Sequence, residues 1–126
     1  MRGRGVQLSV ARFQILMMLR DAPSKVTWRF LSANNRRLCQ SAEWFPDLRA
    51  CRAAVQELRD RLSELEVVTM RDGPRRWAWR VRLADVDLAV SSRSYERWVE
   101  AERACALFLN QAAQVPNGLP VQVLQL

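Results

Sequence analysis

Apolar positions recur along the chain at two spacings. Between Ser9 and Asp21 the residues Val10, Phe13, Ile15, Leu16, Met17, Met18 and Leu19 form a broad apolar face that fits a helix. Ser9 is placed to cap its start, and Pro23 lies beyond its end. A second, shorter helix is expected to begin at Thr27 and to bury Phe30, Leu31 and Leu38, with Asn34 and Asn35 marking its end or a turn. Residues 40–46 read as a connector, because Pro46 pushes Phe45 out of helical geometry. Leu48, Cys51, Val55, Leu58, Leu62 and Leu65 then recur at alternating spacings of three and four, one seam along a helix over 47–65 with Asp47 as its cap.

The period then changes. Val67–Arg71 and Trp77–Leu83 are β-rich runs around an Asp72-Gly73 turn signal, and Trp77, Trp79, Val81 and Leu83 alternate with Ala78, Arg80 and Arg82. A β-hairpin over 67–83 is expected. From Ser94 to Gln114 helical spacing returns in Tyr95, Trp98, Val99, Cys105, Phe108, Leu109 and Ala112. The tail, 115–126, holds Pro116, Gly118 and Pro120 before an apolar end, and reads as an ordered loop or a short edge strand. No internal repeat is evident.

Composition narrows the classes. The 126 residues suffice for one core without disulfides or a structural metal. Cys39, Cys51 and Cys105 are odd in number and far apart, and histidine is absent, so no zinc site or disulfide framework is expected. They read as core thiols of a reducing compartment, which favours a cytoplasmic location. No run approaches the roughly 20 apolar residues that span a bilayer. The net charge of +7 comes from 19 arginines and Lys25 against 13 acids, and it is uneven: +6 over 1–46, +3 over 47–83 and −2 over 84–126. Such a field suits a polyanion partner for the first two thirds. With no histidine, glycine-rich phosphate loop or metal cluster, the chain is expected to be no enzyme and to need no cofactor.

Three helices followed at once by a hairpin resembles the winged helix-turn-helix family, and VQELRDRLSELEVVTMRDGPRRWAWRVRL is similar to its recognition-helix-to-wing segment. A long helix after the wing is similar to the PadR-type arrangement. The resemblance implies a mostly α fold with a small hairpin: an arm (1–8), a winged domain (9–83), a C-terminal dimerisation helix region (84–114) and a tail (115–126). It implies a homodimeric, sequence-specific regulator of double-stranded DNA with helix 47–65 in the major groove.

On that reading Arg49, Arg52, Ala53, Gln56 and Arg59 face bases, and Arg71, Arg75 and Arg76 at the wing and Arg36 and Arg37 hold phosphates. Tyr95, Trp98, Val99, Cys105, Phe108, Leu109 and Ala112 pair two copies. The bland alternatives are a solvated helix face, a solubilised hairpin tip and a C-terminal helix docked within its own chain. A rival function keeps the winged helix as a protein-interaction module that binds a partner protein through the C-terminal helix or tail.

Overall fold

The computed structural model describes residues 10–20, 25–118 and 120–126. The expected arm over 1–8, the Ser9 cap and the Asp21–Pro23 terminus therefore lie outside the described residues. The elements are β1 (Arg12–Met18), β2 (Lys25–Leu31), β3 (Arg37–Ser41), α1 (Leu48–Asp60), a 3-10 turn (Leu62–Glu64), β4 (Glu66–Arg71), β5 (Trp77–Leu83), β6 (Val86–Ser91), α2 (Trp98–Gln114) and β7 (Gln122–Gln125). The strands form one sheet in the order β4-β5-β6-β3-β2-β1-β7. All neighbours are antiparallel except β1 and β7, which run parallel.

This is a mixed sheet with two helices, so the mostly α, winged-helix expectation is corrected. The first expected helix is β1. Its central residues Phe13, Gln14, Ile15 and Leu16 are all buried, because both faces of the strand are covered there, and consecutive burial mimics a helical stripe. The second expected helix is the hairpin of β2 and β3. Asn35, at φ 63°, turns its corner, and the Ser32 Oγ accepts from the main-chain N–H groups of Asn34 and Arg36. Val26, Trp28 and Phe30 alternate toward the core with Thr27 and Arg29 away from it, a strand period. The hairpin of β4 and β5 and both later helices form close to where the periodicity placed them. Asp47 caps α1 by accepting from Ala50 N–H at 2.8 Å. The tail forms an edge strand.

The chain is also built twice. β1-β2-β3-α1 and β4-β5-β6-α2 have the same order, and Ser41, Phe45, Val55 and Leu58 correspond to Ser91, Tyr95, Cys105 and Phe108 at an offset of fifty positions. Burial is identical at every position of 51–60 and 101–110. Phe45 exchanges main-chain hydrogen bonds with Val26 (2.7 and 3.0 Å), and Tyr95 with Trp77 (2.7 Å each). The register slips once in each half, so that Leu38 of β3 and Leu88 of β6 are the extra residues, again fifty apart. The expectation of no repeat is thus corrected: the repeat lies in geometry and burial, and side-chain identity follows it at few positions.

Both helices lie on one face of the sheet, α1 over β1 and β2, and α2 over β3, β4 and β5. The core is Trp28, Phe30, Phe13 and Trp79 from the strands with Cys51, Val55, Leu58, Cys105 and Phe108 from the helices. Phe108 lies edge-on to Phe30 (5.1 Å) and stacks on Trp79 (5.7 Å). Among the described residues the other face of the sheet carries no helix.

Candidate functional site

The helix-free face takes its character from the alternate positions of each strand. One row crosses the whole sheet through Gln122, Gln14, Arg29, Gln40, Val90, Arg80 and Val68. A second, shorter row sets Arg12, Leu31 and Arg37 side by side on β1, β2 and β3. At the usual strand spacing, Arg12 and Arg37 stand about 10 Å apart with Leu31 between them. Arg29 lies on the same face, two positions from Leu31 along β2.

Arg29 is held in place. Its Nε donates to Gln14 Oε1 at 2.9 Å, and Gln14 Nε2 donates to Gln122 Oε1 at 2.6 Å. Burial, and then the charges of Arg37 and Arg12, draw the Arg29 pKa below its ordinary value. Among the described residues, none of the three makes an ion pair. Arg12 Nη1 donates to the Val10 carbonyl at 2.9 Å. Three guanidinium groups thus share a surface with amide side chains and, among the described residues, no carboxylate paired to them. At the other end of the same face Arg80 and Arg82 share one carboxylate, that of Asp87, at 2.6 and 2.9 Å.

The residues expected to read DNA are dispersed. Arg49, Arg52, Ala53 and Gln56 do lie on the exposed face of α1, where Gln56 Nε2 donates to Asp60 Oδ1 at 2.7 Å. The hairpin expected to act as their wing is β4–β5, at the opposite end of the strand order from β1 and packed under α2, whereas α1 packs on β1 and β2. Arg59 is a structural clamp: its guanidinium donates to the carbonyls of Val115 and Pro116 and to Asn117 Oδ1, at 3.0 to 3.1 Å. Arg71 stacks over Trp77 at 4.6 Å, Arg76 donates to Ser94 Oγ and the Ser94 carbonyl, and Arg75 is exposed at the turn. Arg36 is exposed beside the β2–β3 turn, and Arg37 belongs to the cationic cluster.

Of the residues assigned to a dimer helix, Cys105, Phe108 and Ala112 are buried against their own sheet, and Tyr95 and Leu109 pack on the same core. Trp98 and Val99 are exposed, at 48% and 37%. Arg12, Arg29, Gln14 and Gln40 escaped the sequence reading. The signal was present for β2, where Lys25-Val26-Thr27-Trp28-Arg29-Phe30 alternates polar and apolar, the period of a strand with one wet face.

Among the described residues no helix is long and apolar enough to cross a membrane. No protein-family model matches the chain, and no curated protein matches it. Two solved structures share its fold, both determined by solution NMR. A UPF0339 protein from Shewanella oneidensis superposes with a TM-score of 0.66 at 5% identity, over 91% of this chain and 90% of its own. YegP from E. coli, described as a protein of unknown function, superposes with a TM-score of 0.62 at 15% identity, over 96% of both chains. The likeness to winged-helix and PadR-type regulators is overturned by this architecture: the chain has the fold of UPF0339 and YegP-like proteins.

Proposed function

We propose that this protein binds nucleic acid by its phosphate backbone, through the cationic end of the helix-free sheet face. The observation that carries the reading is the placing of Arg12, Arg29 and Arg37 from three adjacent strands on one surface, with no facing carboxylate among the described residues. Guanidinium forks match phosphate oxygens, and the amides of Gln14, Gln40 and Gln122 add neutral groups in the neighbouring row. The tryptophans and phenylalanines of the strands point to the helix side, so this face offers no platform for stacking bases. Contact with backbone charge, indifferent to sequence, is what such a surface favours.

The test is fluorescence anisotropy of a labelled random-sequence duplex titrated at a series of salt concentrations. Log affinity should fall linearly with log salt, and the combined variant R12Q/R29Q/R37Q should flatten that slope by about 0.9 for every phosphate contact removed. R49Q/R52Q, on the exposed face of α1, should leave the slope unchanged. Loss confined to the α1 variant, or no salt-dependent binding, would overturn the reading.

A further inference from the structure

The sheet ends differently on its two sides. On one side β7 closes β1 in parallel register, from Gln14 opposite Gln122 to Met17 opposite Gln125. On the other side β4 is last, with no strand beyond it among the described residues. In the repeated plan β4 corresponds to β1, so the place that β7 fills beside β1 has a counterpart beside β4 that no strand of the described residues fills.

The main-chain groups that face this gap can be assigned. Trp77 exchanges both of its main-chain hydrogen bonds with Tyr95, and Trp79 N–H donates to Ser91 Oγ, so both residues turn their peptide groups away from β4. Their register partners Arg71 and Thr69, and Val67 opposite Val81, therefore turn their own N–H and C=O groups outward. Asp72 N–H bonding to the Arg76 carbonyl at 2.9 Å fits the complementary, inward set. Edge strands are commonly blunted by proline, lysine, a bulge or shortness. β4 has six residues in unbroken register with β5, contains no proline, glycine or lysine, and leaves Val67 43% exposed. The outer edge of β7 is four residues long and follows Pro120.

We infer that the β4 edge is an interface for a second copy of this chain, the two β4 strands pairing antiparallel about a two-fold axis. An antiparallel strand on its own two-fold is self-complementary, so one surface serves both copies. The chain already joins its two halves this way: β3 and β6 meet antiparallel at the centre of the sheet over three paired positions, and β4 offers six. With the axis at Val68, Val67 lies opposite Thr69 of the second copy and Glu66 opposite Met70, so Glu66 does not stand directly opposite Asp72. The inference stands apart from the nucleic-acid reading, because the Arg12, Arg29 and Arg37 cluster lies at the other end of the sheet.

Sedimentation equilibrium of the full chain, freed of nucleic acid and followed from about 1 to 300 μM, tests it. A discrete, reversible dimer is expected. Val67→Lys and Thr69→Pro should each raise its Kd at least tenfold while the monomer keeps its circular dichroism, since the Thr69 N–H makes no bond within β4–β5. If Thr69→Pro does not fold, Val67→Lys decides. A monomer throughout, a dimer indifferent to the substitutions, or an open-ended series of larger species from β4 meeting β7, would each overturn the inference.

Discussion

Leu31 is 6% exposed on the face that has no helix, and its neighbours across the strands are Arg12 and Arg37. Arginine can lay its aliphatic stem over an apolar residue while its guanidinium stays in water, so the cluster covers Leu31 and presents charge at once. The thiols show the opposite treatment on the other face. Cys39, Cys51 and Cys105 are buried, and burial pushes Cys51 up to about 11, Cys105 to about 12, and Cys39 well above the ordinary 9.0. A thiol whose pKa is raised on folding holds its proton in the native state while the unfolded chain ionises. Its contribution is complete below pH 9 and is lost as pH rises toward the folded value. Each thiol can remove up to about 1.4 kcal/mol per pH unit in that window. Unfolding free energy measured in urea between pH 8.5 and 10.5 should therefore fall more steeply for the native chain than for the C39A/C51A/C105A variant. Equal slopes would show that the thiols do not govern alkaline stability.

At the scale of elements, the two halves solve the same turn differently. The β2–β3 turn places Asn35 at φ 63°, a residue that tolerates the left-handed region, whereas the β5–β6 turn places Ala84 and Asp85 there, at φ 49° and 67°. An alanine in that conformation carries about 1 kcal/mol of strain. Ala84→Asn should raise stability by about that amount and the melting temperature by a few degrees, read by thermal circular dichroism. An unchanged or lower midpoint would mean that Ala84 is not strained there. The same comparison explains what the sequence did and did not disclose. α1 was legible because its seam is buried on one side only and Asp47 is a clean cap. The β4–β5 hairpin was legible from Gly73 and strict alternation. β1 was not, because burial of Gln14 and Leu16 on the second face erased the period of two that a half-exposed strand shows. With β1 and β2 read as helices, the arginines that alternate along them could not be placed on one surface, and the candidate site went unseen. The repeat was hidden for a related reason: at corresponding core positions Leu58 is matched by Phe108 and Val55 by Cys105, pairs that share burial and not identity.

In the molecule as a whole the two halves are interlocked. Phe108 of α2, in the second half, meets Phe30 of β2 in the first, and Gln111 Oε1 accepts from Ala33 N–H at 3.1 Å. Arg59 of α1 holds the carbonyls that lead from α2 into β7, and β7 in turn completes the edge of β1. Each half therefore buries part of its core only against the other, although each repeats the same plan. A tandem of independent units would unfold in two steps, whereas a shared core should unfold in one. Phe108→Ala removes the ring that touches both Phe30 and Trp79, and a buried phenylalanine of this kind costs about 3 to 5 kcal/mol. Far-ultraviolet circular dichroism reports on the strands and helices of both halves, while fluorescence of the five tryptophans includes buried Trp28 of the first and buried Trp79 of the second. The two signals should trace one urea transition in the native chain, and in Phe108→Ala both should move to lower urea together. A variant in which one transition shifts and a second stays would show that the halves fold separately, and that the contact between Phe30 and Phe108 is a meeting of two finished units.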